Sequence, residues 1–189
     1  MKDKLRRSIT LAVSLALAAM LAVTAFAQDT TPGTYEAVHK MLGEPGGQCS
    51  AVMIAPSRAL TAAHCLAIPN PSLYINGTKY PVAGAYVVKE GMDAAVLVVP
   101  SAPCPCAVIR QTSSDLYTGL FVVGYPHNGI RIITTGLFQG HYDHPEDLQR
   151  YGVTEARMAL GNSGGGVFNL HGELLGIASA TNGHLLIYV

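Results

Sequence analysis

Charge is scarce in this sequence. Asp, Glu, Lys and Arg make up 13% of its 189 residues, against a usual share of about 25%. A basic excess is also missing, since 12 Lys and Arg stand against 12 Asp and Glu. Four of the basic side chains and one acidic one lie within residues 1–27, so residues 28–189 carry 8 against 11, a net of −3. A nucleic-acid-binding domain would be clearly basic, so no nucleic acid is expected as a partner. No His-Glu-x-x-His occurs, which removes the helical signature of a metal-dependent hydrolase. After Ile9–Phe26 no apolar run approaches the ~20 residues a membrane-spanning helix needs. Convincing helical periodicity is absent after Glu44.

The apolar run that is present has a specific setting. Lys2, Lys4, Arg6 and Arg7 precede it, and Ala25-Phe26-Ala27 closes it with small residues two apart. This reads as a secretory signal peptide, residues 1–27, cut after Ala27. No cysteine stands at the cut to carry a lipid. The expected location is secreted or periplasmic, with no stable membrane span after cleavage. The remaining chain, about 160 residues, is the size of one domain with a real core, or of two small barrels sharing one.

From Cys49 the pattern is that of strands and tight turns. Ala51–Ile54 and Ala59–Ala62 are apolar around the turn Ala55-Pro56-Ser57-Arg58, and Asn76-Gly77 between Leu73–Ile75 and Thr78–Val82 is a hairpin signal. Ala94–Val99, Leu120–Gly124 and Ile130–Phe138 read as strands, and Val167–Leu170 with Glu173–Ala180 as a hairpin. Asn182-Gly183 then turns into Leu185–Val189. His141–Arg150 reads as a polar loop. Tyr35–Leu42 is open between helix and strand, and its His39 reads as a surface histidine. Many short strands at this spacing indicate an all-β barrel or sandwich. Ser101–Cys106, rich in proline, is the expected link between two halves, about 46–100 and 107–189. One residue between Cys104 and Cys106 leaves a strained pair or packed thiols.

Three stretches carry chemistry. In Gly161-Asn162-Ser163-Gly164-Gly165-Gly166 the glycines allow a tight turn that aims backbone N–H groups at one point, beside a hydroxyl that needs a base to become a nucleophile. Upstream lies Leu60-Thr61-Ala62-Ala63-His64-Cys65, and Asp93 enters an apolar run between the two. A partly buried carboxylate needs a partner, and a histidine Nδ1–H is a good one. The order histidine, aspartate, serine is one of the known chain orders of a triad.

These residues resemble the trypsin/chymotrypsin-like serine peptidases. Leu60–Cys65 matches that family's histidine motif without a gap, and Asp93-Ala94-Ala95-Val96-Leu97 is similar to its aspartate strand. Asn162 before the serine, Thr154-Glu155-Ala156 and Gly172-Glu173-Leu174-Leu175-Gly176-Ile177 lean toward the bacterial branch, the HtrA-type proteases and glutamyl endopeptidases. The resemblance, over about 46–189, implies two antiparallel β-barrels with the active site in the cleft between them. It implies catalysis by His64, Asp93 and Ser163, an oxyanion hole from the N–H groups of Gly161 and Ser163, and substrate binding by Ser179, Ala180 and Thr181. It also implies a disulfide between Cys49 and Cys65, which are 16 positions apart, as an oxidising compartment would favour. No cofactor and no metal are implied; the substrate would be a protein or peptide. A catalytically silent peptide-binding module on the same fold is the alternative. Asn162 cannot form the ion pair of the family's zymogen switch, so no activation of that kind is expected.

Overall fold

The structure is a computed structural model that describes residues 34–110, 116, 118–127, 129–143, 150–181 and 185–188, with side chains up to Ser179. The signal-peptide reading and the Asn182-Gly183 turn lie outside these residues. The regular secondary structure of the described chain is almost entirely strand. β1 (Val38–Leu42), β2 (Gln48–Ala55) and β3 (Arg58–Thr61) lead to a single 3-10 turn, Ala63–Ala67. β4 (Ser72–Ile75), β5 (Thr78–Pro81), β6 (Gly84–Val87) and β7 (Ala95–Val98) follow. Then come β8 (Gly119–Gly124), β9 (Ile132–Asp143), β10 (Arg150–Thr154), β11 (Gly166–Asn169), β12 (Leu174–Thr181) and β13 (Leu185–Tyr188).

The first seven strands form one curled antiparallel sheet in the order β5-β4-β1-β2-β3-β7-β6, and the last six close into a barrel in the order β10-β13-β12-β11-β8-β9. This is the expected all-β pair of barrel-like halves. Asn76 and Gly77 both take positive φ, 49° and 79°, as the tight β4–β5 hairpin requires. Pro81 ends β5, an edge strand whose missing N–H costs no ladder bond.

Two segments depart from the sequence reading. Of Tyr35–Leu42, residues 35–37 are turn and Val38–Leu42 is strand, and His39 in β1 is only 4% exposed instead of lying at the surface. By the two-residue period His39 shares a face of β1 with Met41, which packs in the core of the first sheet. The supposed loop from His141 begins as strand, because Gly140–Asp143 pair with Arg150–Val153 of β10. Their polar side chains suit the solvent-facing side of a barrel wall.

The period of two along the strands sorts residues into three cores. Cys49, Ala51 and Met53 of β2 pack inside the first sheet with Leu73 and Leu97, while Val52 faces the other way. Leu120, Val122, Val167 and Leu175 fill the second barrel. Phe121, Val123, Phe168, Leu174 and Ile177 face outward from that barrel and meet Ala37, Val38, Val52 and Ala94 in a core that both halves share. The Phe121 and Phe168 rings stack there with centroids 5.5 Å apart. Between β7 and β8 the chain touches both sheets, since the Ala107 N–H donates to Met53 O and the Arg110 N–H to Leu174 O. In this connection the sulfurs of Cys104 and Cys106 are joined to each other. Among the described residues no helix is long and apolar enough to cross a membrane.

Candidate active site

His64 sits on the 3-10 turn that follows β3, and Asp93 lies just before β7, which pairs with β3. That neighbouring register brings the two side chains together. The Asp93 carboxylate accepts three hydrogen bonds. His64 Nδ1 donates at 2.8 Å, the His64 backbone N–H donates at 2.8 Å, and the Ser179 hydroxyl donates on a short bond. Burial works against the Asp93 charge, but these bonds together outweigh it and hold the carboxyl below its ordinary pKa. With the carboxylate charged, the His64 proton belongs on Nδ1 and Nε2 is left as the free base. The hydrogen bond to Asp93 raises the imidazole above its usual 6.5, opposed by partial burial and assisted by charge attraction. The side chains are 49% and 24% exposed, so the pair opens on one side to water and to anything that docks there.

Ser163 comes from the turn between β10 and β11. Its hydroxyl donates to the Ser179 carbonyl oxygen at 3.3 Å, and among the described residues no hydrogen bond joins it to His64. Ser179, on β12, therefore touches both Asp93 and Ser163. Ala180 and Thr181 complete β12 beyond it, across a bulge in the pairing with β13. The serine turn is pressed against the first sheet. The Ser50 N–H donates to Ser163 O at 2.8 Å, and Gly164 N–H donates to Ala178 O at 2.7 Å. Gly164 has a φ of 80°, and a Cβ there would stand 2.2 Å from both Ser50 O and Thr61 Oγ1, so only glycine fits. Among the described residues the N–H groups of Gly161 and Ser163 have no hydrogen-bond partner. Two unpartnered N–H groups flanking a serine are what an oxyanion hole requires.

The sulfurs of Cys49 and Cys65 are joined, with Cα atoms 6.2 Å apart. Because Cys49 lies in β2 and Cys65 follows His64, the link ties the histidine turn to the sheet. Among the described residues the one group of three metal-ligand side chains is Cys49, His64 and Cys65, whose donor atoms lie within 4.8 Å of one another. Its sulfurs are engaged with each other, so it offers one imidazole and no ligand set.

Sequence reasoning missed Gln48 and Ser50. Ser50 is wholly buried and its hydroxyl joins Gly161 O (2.9 Å) to the Tyr125 N–H (2.8 Å), while the Gln48 amide reaches Tyr125 O (2.8 Å) and Pro126 O. Arg157 is exposed, and its carbonyl accepts from the Thr134 hydroxyl at 2.8 Å.

The comparisons with known proteins bear on the fold and the family. The serine proteases Rv3671c and MT3772 of two Mycobacterium tuberculosis strains are each 31% identical to this chain over 134 residues. The match covers 66% of the chain and 34% of theirs, so the chain spans about a third of the length of these curated relatives. The active form of the M. tuberculosis Rv3671c protease superposes with a TM-score of 0.74 at 22% identity, over 84% of this chain and 79% of that one. The HtrA-type protease AlgW with tripeptide gives 0.74 at 20%, over 86% and 59%. The serine endoprotease from Yersinia pestis gives 0.71 at 20%, over 84% and 60%. At these identities the structures establish the fold. The family is established separately, by the sequence profile of the trypsin-like peptidase domain, which matches residues 49–177. This chain belongs to the trypsin-like peptidase family.

Proposed function

We propose that the chain is an exported serine endopeptidase in which Ser163 is the nucleophile, His64 the general base and acid, and Asp93 the group that orients His64. The observation that carries this reading is the Asp93 carboxylate, held by three donors against His64 Nδ1 and bonded through Ser179 to the strand whose carbonyl holds the Ser163 hydroxyl. For attack, the hydroxyl turns from Ser179 O toward His64 Nε2. Ser163 Oγ then adds to the peptide carbonyl as Nε2 takes its proton, and the oxyanion is held by the Gly161 and Ser163 N–H groups, each worth roughly 3 kcal/mol at such a site. Collapse of the adduct expels the amine, which takes the proton from Nε2, and water repeats the sequence on the acyl-enzyme. Asp93 stabilises the imidazolium throughout. Export follows from the signal-peptide pattern of residues 1–27; there the Cys49–Cys65 link would be closed.

By resemblance, 157–160 and 179–181 would wall the pocket for the residue before the scissile bond. Glutamyl endopeptidases, by resemblance, hold a histidine where the buried Ala178 stands, and no aspartate lies in the six residues before Ser163. A buried acidic or basic substrate side chain would thus lack a counter-charge. Cleavage after small or medium apolar residues such as Ala, Val or Leu follows; a peptide-library digest dominated by cuts after Glu, Lys or Arg would refute it.

The bond from the Ser163 hydroxyl to Ser179 O, in place of one to His64, favours a second reading, a catalytically silent peptide-binding module. A fluorophosphonate probe separates the two. Labelling of the folded protein that disappears in Ser163→Ala supports the peptidase, and absence of labelling on the folded protein supports the binding module.

A further inference from the structure

The two unpartnered N–H groups beside Ser163 belong to peptide units that can each rotate by half a turn, which would aim a carbonyl oxygen where a donor is needed. What holds each unit is therefore part of the site. In a trans peptide the N–H points opposite to the carbonyl. The Leu160–Gly161 unit is held by its carbonyl, which accepts the His127 N–H at 2.9 Å, so the Gly161 N–H points away from His127. The Asn162–Ser163 unit is held in the same way by the Gly165 N–H at 2.8 Å. The second clamp lies within the serine turn, but the first depends on the distant turn Tyr125–His127. That turn lies directly against Gly161, where an added Cβ would stand 2.7 Å from Tyr125 O and 3.1 Å from His127 N.

The turn itself is fastened to the other half of the molecule. Gln48 Nε2 donates to both Tyr125 O and Pro126 O, and the Ser50 hydroxyl accepts from the Tyr125 N–H while donating to Gly161 O. Both residues are on β2 of the first sheet. We propose that Gln48 and Ser50 are positioning residues of the oxyanion hole: they lock the Tyr125–His127 turn so that the His127 N–H holds the Leu160–Gly161 peptide with its own N–H aimed outward. The sheet that carries His64 thereby also sets the donor geometry of the barrel that carries Ser163. This rests on the serine-peptidase reading, because a hole has a task only if an oxyanion forms.

The test uses Gln48→Met, which keeps side-chain length and removes the donor, and Ser50→Ala. A donor missing from such a hole costs 10²–10³ in turnover, and a misaimed one costs part of that. The expected result for Gln48→Met is a fall in kcat of about 10-fold or more with KM changed less than about twofold, since the lost interaction exists only in the transition state. A peptide aldehyde, which forms an oxyanion on Ser163, should lose affinity in parallel with kcat. The matching peptide alcohol, which forms none, should not. A purely structural defect would weaken both inhibitors or lower the thermal midpoint without splitting them. Amide hydrogen exchange adds a readout independent of turnover, with the His127 N–H losing protection about 10-fold or more in each folded variant. If Ser50→Ala does not fold, Gln48→Met decides alone. Unchanged kcat with an unchanged aldehyde-to-alcohol ratio, or undiminished His127 protection, overturns the proposal. A wild type that turns over nothing counts against the peptidase reading, and the exchange result still decides the positioning role.

Discussion

Acid should destabilise this protein through one residue outside the candidate active site. His39 is buried in β1, its Nε2 has no hydrogen-bond partner, and burial, with Arg131 nearby, lowers its pKa from 6.5 to about 4. The folded state therefore refuses a proton that the unfolded chain accepts. Above pH 6.5 both states are neutral and His39 contributes no pH dependence. As pH falls from 6.5 to about 4 the unfolded state binds the proton first, and stability is lost across that window. At about 1.4 kcal/mol per pH unit the full loss is roughly 3 kcal/mol, and about 2 kcal/mol of it is gone by pH 5. That is a large part of a typical 5–15 kcal/mol total. His39→Leu removes the titration and also the orphaned nitrogen, so at pH 7.5 it should be near neutral or stabilising. Urea unfolding of wild type and His39→Leu at pH 7.5, 5.0 and 4.0 measures the effect, because other titrating groups are common to both proteins and cancel. The wild type should lose roughly 2 kcal/mol more than the variant between pH 7.5 and 5.0. Parallel losses in the two proteins would refute the assignment.

Four further outcomes follow from the site. The hydrogen bond to Asp93 raises the His64 pKa, so kcat/KM should fall on the acid side with a midpoint above 6.5, and a rate flat down to pH 4 would contradict His64 as the base. Asp93→Asn should leave the fold intact and lower kcat by on the order of 10³–10⁴, through loss of the correct tautomer. Reduction, or Cys49→Ser, should lower the thermal midpoint, with a loss near 3 kcal/mol for a loop of this length, and Cys49 alkylation in unreduced folded protein would sink that expectation. Gly164→Ala combines a φ of 80° with contacts of 2.2 Å to backbone and hydroxyl, so it should cost on the order of 3 kcal/mol or more and abolish probe labelling, and a stable, labelled variant would refute the packing argument.

Features set by neighbouring residues were the ones legible in the sequence. The Asn76-Gly77 hairpin, β2 and β3 around Ser57, and β11 and β12 around Gly172 all rest on local turn chemistry and alternation. His39 was misread because nothing within β1 says that the face it shares with Met41 will turn into the core of the first sheet. His141–Asp143 looked like loop because a polar strand in a barrel wall has the composition of a loop, and only its pairing with β10 tells them apart. In the site, His64, Asp93 and Ser163 could be named from motifs, but Gln48 and Ser50 could not. Their partners lie 75 to 111 positions along the chain, and one hydroxyl or amide carries no mark of so distant a contact.

The core held in common by the two sheets also governs how the molecule can be taken apart. Phe121, Phe168 and Ile177 turn their backs on their own barrel to bury Ala37, Val38 and Val52 of the other sheet. A break between β7 and β8 would sever the covalent link and leave that contact in place. Each fragment alone would present a greasy face to water, so the cut halves are better off remaining clasped than drifting apart. A nick in that connection would therefore divide the chain without parting the folded halves.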